Sequence, residues 1–209
     1  MTGNRNPLLA MLAIAVAVLA ASCSSNGNST PADSSQTSTS SAGTQSARPT
    51  LTNPKLQPPS QDNQYTASTG RPKIVFDPCT WISDETIQKA GFDPASRGRG
   101  RDLIAEYSFL VCHFSSQLRD LSLLSGNATW QENLAKVGAF SESTSVNGRE
   151  ALLVRDPEVH RGCQVDVRTK VGFVQMAVDL TDRAPQTLNA CDGITDIAST
   201  IEPEIGKDN

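Results

Sequence analysis

Residues 162–168 read Gly-Cys-Gln-Val-Asp-Val-Arg, and residues 172–180 read Gly-Phe-Val-Gln-Met-Ala-Val-Asp-Leu. In the first run Cys163, Val165 and Val167 share one side of a period-two ladder. Gln164, Asp166 and Arg168 share the other. Alternation of this kind marks a strand with one apolar face. Gly172 is the expected turn, and Phe173–Leu180 the returning strand. A hairpin with one dry face points to an antiparallel sheet that needs a covering layer.

Working outward, the same pattern recurs. Ser141–Ser145 and Glu150–Arg155 flank Asn147-Gly148, a strong tight-turn signal. Tyr107–Ser115 and Arg119–Leu124 form a further hairpin, with Leu110, Cys112 and Phe114 on one face and Phe109, Val111 and His113 on the other. Ile74–Phe76 reads as a short first strand. Three helices are expected. One is capped by Thr80 or Ser83 and stopped by Gly91, one runs from a Thr129 cap through Val137, and one spans Ala184–Ile201. In the last, Leu188, Cys191, Ile194, Ile197 or Ala198, and Ile201 recur at helical spacing, and Pro185 sits in the first turn. The fold class is therefore α+β, a largely antiparallel sheet packed against helices on one face, in a domain of residues 73–209.

Ahead of that domain the composition changes. Ser, Thr, Asn, Gln, Gly and Pro dominate residues 24–72, too polar to offset the entropy of ordering, so a disordered tether is expected. Further upstream, Leu8–Ala21 is unbroken apolar and follows Arg5. The run is shorter than the ~18–20 residues of a bilayer span and has the order of a secretory leader. It closes on Leu19-Ala20-Ala21-Ser22-Cys23, which resembles a bacterial lipobox. Residues 1–22 are read as the signal peptide and Cys23 as the lipidation site. A diacylated or triacylated cysteine supplies the two or more chains that lasting anchorage needs.

With Cys23 carrying lipid, Cys79, Cys112, Cys163 and Cys191 remain. An even set in an exported chain predicts two disulfides. Three connectivities exist, and Cys79–Cys112 with Cys163–Cys191 is favoured because each bridge staples one half of the domain. Zinc is disfavoured by the lack of any short Cys-x₂₋₄-Cys spacing.

Phe76-Asp77-Pro78-Cys79 before a helix ending in Ala90-Gly91, Cys112-His113-Phe114, Val146-Asn147-Gly148-Arg149, and a last helix followed by Glu202-Pro203 form a recognisable set. Together with the lipobox the chain resembles the actinobacterial, chiefly mycobacterial, lipoproteins of the LprB/LprC type, which share a domain of unknown function. The resemblance implies an envelope lipoprotein and lends no catalytic residues.

Chemical motifs are few. There is no Gly-x-Ser-x-Gly elbow, Ser-x-x-Lys, His-Glu-x-x-His or phosphate-cradling glycine loop. The two histidines are His113, on a strand face, and His160, in the turn Asp156–His160. No metal or other cofactor is expected. Trp81 and Trp130 are read as core. Arg97, Arg99 and Arg101, in an expected loop from Asp93 to Asp102, are the one concentrated positive charge and the candidate anion-binding loop. The formal net charge of −4 falls one unit further once Arg5 leaves with the leader, which excludes a nucleic-acid partner.

The sequence thus points to a non-enzymatic binding or interaction module, lipid-anchored on the outer face of the cytoplasmic membrane, with an envelope protein, glycan or lipid as partner. The alternative is a carrier or sensor of a small or lipidic ligand, which requires a cavity between sheet and helices. An envelope hydrolase is third, and requires a histidine bonded to a Ser or Asp in a cleft.

Overall fold

The computed structural model describes residues 50–207 and 209. The expected signal peptide, Cys23 and the expected tether up to residue 49 lie outside the described residues. Eight strands form one antiparallel sheet: β1 (Asp93–Arg99), β2 (Leu103–Ile104), β3 (Ser108–Ser115), β4 (Arg119–Gly126), β5 (Ser141–Val146), β6 (Arg149–Val154), β7 (Gly162–Arg168) and β8 (Phe173–Leu180). Their order is β1-β3-β4-β8-β7-β6-β5, and β2 pairs with β3 beside β1. The central hairpin forms as expected, and its register sets Cys163 opposite Val178, Val165 opposite Met176 and Val167 opposite Val174.

Both faces of the sheet are partly covered. The larger core gathers Cys112, Phe114, Leu121, Leu123, Val165 and Met176 under α2 (Asp84–Lys89) and α4 (Ile194–Ile205). A smaller core on the opposite face packs Leu152, Val154 and Phe173 against Trp130 and Val137 of α3 (Trp130–Val137). The expected layer on one face is present as α2 and α4, and α3 adds cover to the other.

Local signals explain the helix ends. Ser83 caps α2 through the Thr86 N–H at 3.1 Å, and Gly91 follows at φ 88°. The Phe92 N–H reaches Ile87 O and the Gly91 N–H reaches Gln88 O, the paired bonds of a Schellman stop. α3 opens on a capping box. The Glu132 N–H donates to Thr129 Oγ1, and the Thr129 N–H donates back to Glu132 Oε2. Asn147 and Gly148 take φ values of 50° and 84°, as the tight turn between β5 and β6 requires.

The two disulfides are Cys79–Cys112 and Cys163–Cys191, as favoured from the sequence. The expected helical position of Cys191 is corrected. α4 begins only at Ile194, after a left-handed Gly193, and residues 184–193 run as turns. Cys191 therefore reaches Cys163 from a loop. The helix instead continues through Pro203 to Ile205. A proline there removes the N–H that would bond Ser199 O, and Asn147 Nδ2 donates to that carbonyl at 2.8 Å.

Two further expectations change. Ile74–Phe76 is not a strand, although Ile74 and Phe76 are buried. Gly172 does sit in the turn between β7 and β8, its N–H donating to Thr169 Oγ1 at 2.9 Å, and it does so without a positive φ. Its requirement is space, since a Cβ there would lie 2.3 Å from Ala128 O. Ordered structure begins before Lys73. A 3₁₀ turn (Pro54–Leu56) and α1 (Gln64–Thr69) precede it. The segment is sewn down by side chains: Gln61 bonds both the N–H and the C=O of Ile74, and Asn127 Nδ2 donates to Pro72 O. Leu56 is buried in the larger core.

Candidate functional site

The second face of the sheet is not fully covered. Between α3 and strands β3, β4 and β8 lies a half-open cleft of about 380 Å³. Phe109, Leu124, Ala128 and Phe173 provide its apolar lining. Gly126, the cross-strand partner of Phe109, makes this floor. A Cβ at that position would come 2.5 Å from the Phe109 ring, so only glycine lets the ring lie across β4. The Phe109 and Phe173 rings are tilted at 6.4 Å between centroids.

The polar groups that line the cleft fall into two kinds. Glu132 is fully engaged. Arg71 Nη1 and Nη2 donate to its two oxygens at 3.0 and 2.7 Å, and the Tyr107 hydroxyl donates at 3.1 Å. The Arg71 guanidinium also stacks 4.2 Å above the Tyr107 ring. Hydrogen bonding to Arg71, and then to the Thr129 N–H, holds the Glu132 carboxyl far below the usual carboxylate range. Lys136 and Gln175 are different. Both line the cleft, and among the described residues neither side chain forms an ion pair or hydrogen bond.

Beneath α3 lies Asp166, which is completely buried. Asn133 Nδ2 donates to it at 2.8 Å and Gln164 Nε2 at 2.6 Å. Burial pushes its carboxyl up to about 6, against the opposing pull of these two donors and of Lys136. Asn133 therefore joins the cleft wall to a titrating group in the sheet.

The arginine trio is placed elsewhere and is not a loop. Residues 93–99 form edge strand β1. The Arg97 side chain is 4% exposed, lies 4.8 Å from the centroid of the Phe114 ring, and pairs with Asp84 at 2.7 Å. Arg99 donates to Asp77, Asp102 and Leu56 O. Only Arg101 is exposed. The expected anion clamp is not assembled, because two of its three guanidinium groups are consumed inside the fold.

Of the histidines, His113 is exposed, and its Nδ1 lies 2.9 Å from Ser122 Oγ across the β3–β4 hairpin. This is a histidine–serine contact of the kind a hydrolase requires, but it lies on open sheet and lines none of the clefts described here. His160 is exposed in its turn. Among the described residues no group of three or more His, Cys, Asp or Glu is placed to hold a metal ion. Trp130 is buried as expected, and its Nε1 donates to Glu150 at 2.8 Å. Trp81 is half-buried, edge-on to Phe76 at 5.8 Å.

One protein family matches, described as a protein of unknown function, DUF3558, over residues 18–204. The chain belongs to the DUF3558 family. Comparison with curated proteins and with solved structures returns no match. Within this DUF3558 chain the motifs picked out from the sequence prove architectural. Asp77 of Phe76-Asp77-Pro78-Cys79 accepts from the Cys79 and Thr80 N–H groups and from Arg99. Asn147 and Arg149 of the Asn-Gly-Arg turn both bond Glu202 of the Glu-Pro pair, and Arg149 further donates to Gly206 O at 2.7 Å. The open groove of about 660 Å³ beside these residues is thus the seam where α4 is fastened. None of these motifs marks the cleft. Its only sequence signal is the aromatic second face of β3 and β8, and nothing in the sequence couples Arg71 to Glu132.

Proposed function

We propose that this DUF3558 chain is a non-catalytic binding module of the cell envelope, lipid-anchored through Cys23 on the outer face of the cytoplasmic membrane. Its resemblance to the LprB/LprC-type actinobacterial lipoproteins and the apolar leader ending in a lipobox support that placement. Between a macromolecular partner and a small ligand, the cleft under α3 favours the small ligand, as in a carrier or sensor. That cleft is the observation that carries the reading. It has an aromatic floor, a fixed ion-paired wall at Arg71–Glu132, and two uncommitted polar groups. Its size falls in the range of small-molecule sites, roughly 300–1,000 Å³.

The test is a titration of the isotope-labelled chain downstream of Cys23 with a panel of small apolar and amphiphilic compounds, followed by amide chemical shifts. Binding in the cleft moves resonances of residues near Phe109, Leu124, Lys136 and Phe173. Gln175→Trp, which fills the cleft, abolishes those changes while leaving the remainder of the spectrum intact. Shifts confined to another surface would overturn the assignment. Turnover of an ester probe that is lost in Ser122→Ala would instead favour a hydrolase at the His113–Ser122 contact.

A further inference from the structure

The chemistry of the cleft narrows its ligand. An apolar floor selects a hydrocarbon or aromatic body, here Phe109, Leu124 and Phe173. The head group is set by whichever polar atoms remain available. Glu132 already accepts from Arg71, Tyr107 and Thr129, so its charge is neutralised and its lone pairs are occupied. Asp166 is enclosed below the helix with its two amide donors. The remaining charged group lining the cleft is Lys136, which is exposed and without an ion pair among the described residues. The Gln175 amide offers a second donor from the sheet side.

We infer that the cleft binds an acidic amphiphile, a medium-length apolar body ending in a carboxylate, with the anion on Lys136 and Gln175 and the body on the Phe109–Phe173 floor. This rests on the cleft being the binding site, as proposed above, and goes beyond it in naming the ligand class. A charge-assisted bond to an ammonium at the rim orients such a ligand, and the aromatic rings hold its body away from water. A cationic amphiphile has no free carboxylate to meet in this cleft.

The experiment uses the oxidised chain downstream of Cys23 and three probes with one common tail: decanoate, decanol and decyltrimethylammonium, each below its micelle-forming concentration. Binding is followed by calorimetry and by amide shifts. Decanoate binds at the cleft and decyltrimethylammonium does not. Lys136→Glu weakens decanoate about tenfold or more, equivalent to roughly 1.4 kcal/mol. It leaves decanol unchanged. Gln175→Trp removes binding of both. Equal binding of all three probes, with no effect of Lys136→Glu, overturns the acidic ligand class but leaves the cleft as the site. Decanoate binding that survives Gln175→Trp overturns the cleft itself. Absence of binding by every probe, in a chain whose spectrum shows it folded, also overturns the inference. In that case shifts at the cleft with other compounds of the panel decide whether the broader reading stands.

Discussion

Arg99 Nη2 sits between both carboxylate oxygens of Asp77, 2.6 Å from Oδ1. The two side chains are 11% and 5% exposed. Asp77 also accepts from the Cys79 and Thr80 N–H groups, so the ion pair shapes the turn that leads into the first disulfide. Removing one member of a buried pair strands the other, at a cost of about 3–5 kcal/mol. Arg99→Ala is therefore expected to lower unfolding free energy by that order in urea denaturation, whereas Arg101→Ala changes it by less than about 0.5 kcal/mol. Equal effects at the two positions would contradict the division between buried and exposed arginines.

The disulfides offer a second measurement. Their loops span 33 and 28 residues. On the chain-entropy model each stabilises by about 3–4 kcal/mol. Serine pairs at Cys79 and Cys112, or at Cys163 and Cys191, are expected to lose amounts that differ by less than about 1 kcal/mol in urea denaturation. A loss confined to one pair would show that the other is compensated in the denatured state.

Asp166 and Glu132 respond to pH in opposite senses. Asp166 has a folded-state value raised to about 6 from an ordinary 3.8. Between these values the folded state binds the extra proton, so its contribution is complete below about pH 4 and is lost as pH rises through 6. The size is on the order of 2–3 kcal/mol. Glu132 is lowered, so its contribution is present above pH 4.5 and lost as pH falls. Urea denaturation at pH 4.5 and pH 7 is expected to show a smaller pH-dependent change in Asp166→Asn than in the parent chain. An unchanged slope would mean that Asp166 titrates normally.

Anchorage is tested directly. Cys23→Ala is expected to move the protein from the detergent phase to the aqueous phase on phase partitioning. A variant that stays in the detergent phase would make the apolar run Leu8–Ala21 the anchor.

How much of this was legible depended on how local the cause was. The β3–β4, β5–β6 and β7–β8 hairpins follow from period-two alternation and turns. α2 and α3 follow from caps within four residues of their starts. β1 was missed because Asp93-Pro94-Ala95-Ser96-Arg97-Gly98-Arg99 has no alternation and no β-branched residue. It is a strand because β3 offers an edge, and its arginines find Asp77 and Asp84 at long range. Charge density along the chain looked like a binding loop for the same reason, since the neutralising acids are distant in sequence. The start of α4 was misplaced because apolar spacing runs unbroken across Gly193, and only that residue's left-handed conformation ends the turns and begins the helix. The cleft was out of reach because its wall pairs Arg71 with Glu132, 61 residues apart.

The placement of the two disulfides sets how the chain would respond to a pull between its ends. Tension arriving from the N-terminal side crosses from Cys79 directly to Cys112, and again from Cys163 to Cys191. The intervening residues carry no load, and about 200 Å of contour stays locked while the bridges are oxidised. α3 and the β4–β6 region lie between the two bridges, in the stretch that can lengthen. Under force α3, and with it one wall of the cleft, can be displaced while both bridged loops stay closed.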